Sequence, residues 1–217
     1  MRETKKDKKE RAEVIYDRLE KKYKGARCAL HFTSAWELLV ATILSAQCTD
    51  KRVNMVTPAL FKKFPTIESF AKADAKTVEQ YVHSTGFYRN KTKNIIGAAQ
   101  TILQDFDGTV PQTMKKLVTI PGIARKSANV ILYVWYGKNE GVVVDTHVKR
   151  LSNRLGLTNQ KNPVKIEQDL MVLYPQSQWG TFAYYLVEHG RAICKAPTPR
   201  CSDCNLVDLC PTAKKYL

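Results

Sequence analysis

Four thiols fall within 17 residues near the end of the chain, spaced Cys194-x6-Cys201-x2-Cys204-x5-Cys210, with Pro197, Pro199 and Pro211 around them. Soft ligands on so short a segment can close around one centre, and a four-thiolate site suits either tetrahedral zinc or an iron-sulfur cluster. Zinc sites more often pair two CxxC units. Here one CxxC is flanked by wide spacings, which favours the bulkier cluster. An even count of six cysteines would also permit disulfides, but no export signal accompanies it, and in a reducing compartment clustered cysteines read as metal or catalytic sites. Cys28 and Cys48 read as buried small hydrophobes.

A second feature is Ile120-Pro121-Gly122-Ile123-Ala124-Arg125-Lys126. A tight reversal at Pro121-Gly122 followed by a helix leaves unbonded backbone N–H groups pointing outward, a ready seat for a DNA phosphate that reads no base. An ordinary αα-hairpin is the plainer reading. Lys126 falls in the first turn of that helix beside Arg125, where the helix dipole and the neighbouring cation both disfavour a protonated amine, as nucleophilic chemistry requires. It could instead be a phosphate contact with no covalent role. Nineteen residues on, Val142-Val143-Val144-Asp145-Thr146-His147 sets a carboxylate at a helix start, where Asp145 serves as an N-cap or as a proton acceptor. For His147 a structural hydrogen bond is favoured over a ligand or base role.

The elements that must position these residues are helices. Ala12, Ile15, Tyr16 and Leu19 recur at helical spacing within residues 5–24, and Trp36, Leu39, Val40, Ile43 and Leu44 follow Ser34 as a possible N-cap. Further helices are expected over 53–61, 67–73, 75–83, 91–106, 113–118, 125–136, 163–173 and 179–193. The run Val142–Val144 fits a buried lead into a helix better than a strand. The fold class is all-α, and composition marks no boundary between domains.

Of 217 residues, 35 are Lys or Arg and 20 Asp or Glu, a net charge of +15. Residues 1–27 hold 11 basic and 6 acidic side chains, net +5, leaving +10 for the rest. A basic excess on the folded body favours a polyanion, with nucleic acid foremost, because each phosphate contact releases counterions. No apolar stretch approaches the roughly 18 to 20 residues of a membrane span, and none follows Met1, so neither insertion nor export is expected. A chain of this length buries about 70% of its unfolded surface and has no need of a disulfide scaffold.

The Lys126 hairpin, the Val-Asp145-Thr-His block, His189-Gly190-Arg191, the four-Cys loop and Leu44-Ser45-Ala46-Gln47-Cys48-Thr49-Asp50 occur in one order. In that combination the chain resembles the endonuclease III family over nearly its whole length. The resemblance implies two helical lobes. A six-helix lobe, residues 28–138, would carry the helix-hairpin-helix at about 113–136, and residues 1–27 with 139–217 would form an iron-sulfur lobe. It further implies a 4Fe-4S cluster on Cys194, Cys201, Cys204 and Cys210, with Lys126 and Asp145 as catalytic residues. The activity would be removal of oxidised pyrimidines of the thymine glycol type from double-stranded DNA, with β-elimination at the abasic site through a lysine Schiff base. Adenine glycosylases of the same superfamily lack a lysine at this place. DNA contacts are expected from Gln47, Phe87, Lys91, Gly122, Ala124, Arg125, Lys195 and Arg200. Gln47 would fill the gap left by the flipped base, and Phe87 stands where the family often has a Leu wedge, with core packing as its alternative. Ala124 departs from the more common Gly, adding a Cβ near the phosphate and disfavouring φ > 0.

A monomer in the cytoplasm, associated with the nucleoid if the source is prokaryotic, is the expected state. A monofunctional glycosylase for another lesion or mismatch, and a non-catalytic iron-sulfur DNA-binding protein, are the competing readings. Lys126 speaks against the first. Its pairing with Asp145 speaks against the second.

Overall fold

The computed structural model describes residues 3–217, and every regular element among them is helical. In order these are α1 (Lys5–Lys22), α2 (Ala35–Leu44), α3 (Asp50–Lys63), α4 (Ile67–Ala71), α5 (Ala75–Val82), α6 (Tyr88–Asp105), α7 (Met114–Leu117), α8 (Arg125–Val134), α9 (Thr146–Arg154), α10 (Pro163–Leu173) and α11 (Trp179–Ala192). Short 3-10 turns cover His83–Thr85, Gln176–Gln178, Cys201–Asp203, Val207–Leu209 and Ala213–Lys215.

Local chemistry sets the helix ends. Thr4 and Asp7 form a reciprocal capping box on α1, which gives that helix a defined start. Ser34 caps α2 by accepting from the Glu37 N–H at 3.1 Å. Asn162 caps α10, with Pro163 in its first turn. Val142 and Val144 are buried on irregular backbone that runs into α9.

The chain divides into two compact units, Ala29–Lys138 and Met1–Cys28 with Asn139–Leu217. The central unit holds α2 to α8, of which α4 and α7 span only five and four residues. Its α2 is buried over Leu38–Leu44, as an almost wholly apolar helix must be, and packs against α8, while α6 packs against α4 and α5. Trp36, Phe64 and Phe70 form an aromatic contact chain there. In the other unit α1 packs on α11, and α11 on α9. Its core centres on Tyr16, Tyr174, Phe182 and Tyr185, with ring centroids 4.1 to 6.3 Å apart.

Two arginines of α1 anchor the C-terminal loop within this unit. Arg11 donates to the carbonyls of Leu155 (2.7 Å) and Leu209 (3.1 Å). Arg18 makes a two-pronged pair with the Asp208 carboxylate at 2.6 and 3.0 Å and also reaches the Asn205 carbonyl at 2.9 Å. The first helix thereby holds the segment that carries the cysteines.

Candidate active site and four-cysteine loop

The Pro121-Gly122 reversal rests on α6. A Cβ on Gly122 would lie 2.8 Å from Asn94 Cβ, and one on Gly97 would lie 3.3 Å from Pro121 Cγ, so two glycines allow hairpin and helix to touch. Gly122 has φ of +81°, which a glycine adopts without cost. Ala124 is the N-cap of α8 at φ −89° and ψ 170°, an extended conformation that any residue accepts. Its expected conflict with a positive φ therefore does not arise; only the added Cβ distinguishes it from Gly. Gly122, Ala124 and Lys126 are exposed and Arg125 is half-buried. Lys126 is the second residue of α8, where the helix's unbonded N–H groups and its amine share one end.

Asp145 is half-buried at the start of α9, and its Oδ1 accepts from the Val148 N–H at 2.8 Å. Beside it, His147 packs directly on Gly190: a Cβ there would lie 2.6 Å from His147 Nδ1. Arg150 Nη2 lies 3.1 Å from that nitrogen and donates to the carbonyls of Gly190 and Cys194. Burial lowers the His147 pKa, Asp145 raises it and Arg150 lowers it again. His147 thus belongs to the packing of α9 on α11, as a hydrogen-bonding role would have it.

Gln47 and Phe87 sit on two exposed tips of the central unit, and both take left-handed backbone, φ 53° and 48°. For non-glycine residues such conformations cost on the order of 1–3 kcal/mol each and persist only where the surroundings impose them. Phe87 is 63% exposed, which removes core packing as its role.

Lys91 corrects the sequence reading. It is 4% exposed, and its ammonium donates to the carbonyls of Leu44 and Thr85, both at 2.8 Å. Burial lowers its pKa and the Cys48 thiol partly offsets this. A charge so enclosed cannot meet a phosphate. The sequence held a signal: Lys91, Ile95, Ala98 and Ile102 share the buried stripe of α6. Cys48 and Cys28 are half-buried rather than enclosed.

Around the C-terminal loop, Cys194, Cys201, Cys204 and Cys210 line one cavity of about 30 Å³ with His189, Arg154 and Ile193. None of them is in a disulfide. N–H groups of Arg154 and Leu206 point at Cys194 Sγ and Cys204 Sγ, each at 3.4 Å. His189 Nε2 lies 3.4 Å from Cys204 Sγ, and its Nδ1 is 2.9 Å from the Tyr23 hydroxyl. Burial, aggravated by the neighbouring thiols, raises the pKa of Cys201 and Cys204; Cys210 is likewise raised, by burial first. Among the described residues no three His, Cys, Asp or Glu side chains converge closely enough to hold a single metal ion.

Lys195 is exposed. Arg200 turns back on its own loop, donating to the Ala192 carbonyl at 2.7 Å with Nε 3.8 Å from Asp203. Sequence reasoning missed Arg154, which donates to the carbonyls of Lys195 (2.8 Å) and Pro197 (3.0 Å) and so shapes the loop between the first two cysteines.

Residues 40–176 match the model of the HhH-GPD superfamily of base excision DNA repair proteins. The chain is 54% identical to an endonuclease III of Synechocystis sp. over 95% of its own length and 94% of the relative's. Among solved structures it superposes on a non-covalent endonuclease III–DNA complex and on a trapped endonuclease III–DNA covalent intermediate. Each has a TM-score of 0.91 and 36% identity, covering 95% of this chain and 97% of the other. With its all-helical fold and the Pro121-Gly122 hairpin leading into Lys126, the chain belongs to the endonuclease III family within the HhH-GPD superfamily of base excision DNA repair proteins.

Proposed function

We propose that this protein removes oxidised pyrimidines, thymine glycol foremost, from double-stranded DNA and cleaves the abasic strand through a Schiff base on Lys126. The observation that carries this reading is an exposed lysine in the first turn of α8, directly after the hairpin, in a chain that superposes closely on an endonuclease III trapped covalently on DNA. A binding module needs no amine nucleophile, and a monofunctional glycosylase needs no lysine at this position.

The chemistry follows from two groups. The Asp145 carboxylate takes a proton from Lys126 and stabilises positive charge on the sugar as the N-glycosidic bond breaks. The Lys126 amine attacks C1′; the glycosidic electron pair leaves with the base, which takes up a proton. Opening of the sugar ring gives the imine, whose electron-withdrawing C=N acidifies the C2′ proton. Loss of that proton expels the 3′ phosphate, and water hydrolyses the imine to free the amine.

Phosphate is held by the backbone N–H groups at Gly122 and Ala124 and by Arg125, with Lys195 and Arg200 on the loop as further contacts. Gln47 enters the space of the flipped nucleotide, and Phe87 wedges the stack beside it. The protein acts as a monomer in the cytoplasm, associated with the nucleoid if the source is prokaryotic.

The four cysteines fit a 4Fe-4S cluster. Four soft thiols lining one cavity, one CxxC flanked by wide spacings, make a donor set that suits an iron-sulfur cluster. The N–H groups of Arg154 and Leu206 aimed at Cys194 and Cys204 are placed to donate to ligating sulfurs. Bound, the group supplies cross-links that fix the loop, and no step of base removal calls on its electrons.

Borohydride trapping on duplex DNA bearing thymine glycol or an abasic site tests the proposal. Wild type should become cross-linked and Lys126→Ala should not. Base release by wild type without any cross-link would make the enzyme monofunctional and the role of Lys126 wrong.

A further inference from the structure

Gln47 and Phe87 are distant in sequence, yet both are exposed, both are non-glycine residues in left-handed backbone, and each sits just beyond a carbonyl bonded to the same ammonium. Leu44 ends α2 three residues before Gln47, and Thr85 ends the His83–Thr85 turn two residues before Phe87. Carbonyls at helix ends lack intrahelical donors, and a cation there satisfies both the bond and the dipole. Lys91 also donates its backbone N–H to the Phe87 carbonyl at 3.1 Å. The Gln47 tip is closed from its own side by the Cys48 N–H on the Ser45 carbonyl at 3.1 Å. One buried side chain is thus the common anchor of both strained tips.

We infer that Lys91 is a positioning residue that fixes the Gln47 and Phe87 tips relative to one another, so that filling and wedging of the duplex occur as one event. The inference rests on the reading that Gln47 and Phe87 enter the DNA. Lys91 touches neither substrate nor reacting atoms; it supplies geometry. A lone tip could yield when the duplex pushes back, whereas two tips held by one enclosed ammonium move only if both carbonyl bonds break.

The test is single-turnover release of thymine glycol from duplex DNA, with a 2-aminopurine beside the lesion reporting unstacking. It is run on wild type, Lys91→Met, the double variant Gln47→Ala/Phe87→Ala, and the triple combination. Lys91→Met should slow release and unstacking roughly 10- to 100-fold while leaving borohydride trapping on single-stranded abasic DNA within about twofold of wild type. The triple variant should be no slower than the double, because the anchor then has nothing to hold. A slow double variant beside a wild-type Lys91→Met would overturn the anchor and leave the tips standing. Single-stranded trapping lost in parallel, or a triple variant slower than the double, would reduce Lys91 to a general scaffold residue and also overturn it. A double variant as fast as wild type would remove the reading of the tips, and the inference with it. If circular dichroism shows Lys91→Met unfolded, Lys91→Gln, which keeps a donor for one carbonyl, takes its place with the same outcomes.

Discussion

At Gly122 two demands meet on one residue: φ of +81°, and no room for a side chain, since a Cβ there would lie 2.8 Å from Asn94 Cβ. Gly122→Ala should therefore lose about 1–2 kcal/mol for the left-handed backbone alone, with the contact added to it. Thermal unfolding and duplex affinity both register the change. Asn94→Ala should not rescue the variant, because the colliding atom is Asn94 Cβ, which alanine keeps; restored stability in the pair would place the strain elsewhere. The need for glycine at this turn was legible, since Pro-Gly before a basic helix start names its own geometry. The task of Lys91 was not. A lysine near Arg89 and Lys93 reads as one of a solvated set, and only its place in the Ile95, Ala98, Ile102 stripe marks it as turned inward. Residue type and helical phase disagreed there, and phase won because two carbonyls were waiting.

At the scale of the element, α9 shows one of the two roles that its sequence left open for Asp145, and the other is the proposed one. Asp145 caps the helix through Oδ1 on the Val148 N–H, which does not prevent the same carboxylate from accepting a proton. Asp145→Asn separates the roles, since Asn caps about as well as Asp and stability should stay within about 0.5 kcal/mol of wild type. An amide cannot take the proton of Lys126, so single-turnover base release should fall roughly 10²- to 10⁴-fold. Asp145→Ala should lose the same activity together with about 0.5–2 kcal/mol of stability. Retained release in Asp145→Asn would leave Asp145 a cap and nothing more. Apolar periodicity placed the longer helices such as α1, α2 and α6 because each buries a stripe whose period is set by backbone geometry, whereas α9 was marked only by its start at Asp145. The short 3-10 turns around the cysteines left no such trace. The loop that carries them is held at the carbonyls of Leu209, Asn205 and Lys195 by Arg11, Arg18 and Arg154 reaching from helices distant in sequence, and an arginine's partner is not written in its neighbours.

For the molecule as a whole, the apolar stripe of α1 announces that something covers it without saying what; the covering rings belong to α11 and to the end of α10, far along the chain. That aromatic core also sets an alkaline limit. Burial raises the pKa of Tyr16, Tyr174 and Tyr185, and brings Tyr23 from 10.0 to about 12, all within the unit that carries the cysteine loop. A phenol whose folded pKa is raised contributes stability that is complete below its unfolded pKa and is lost as pH climbs through the folded one. Between pH 10 and about 12 the unfolded chain sheds phenolic protons that the native unit retains, so stability falls with rising pH across that window. Lys91 has the opposite sign: its lowered pKa makes its contribution grow as pH rises toward the ordinary lysine value of about 10.4. Several phenols against one amine leave the fall dominant. Phenolate absorbance and helical circular dichroism, followed together against pH, should rise and collapse in one steep transition in which ionisation accompanies unfolding. Phenolate formation complete near pH 10 with the helices intact would mean that these rings are wet, and that α1 is held by its arginines rather than by its aromatic core.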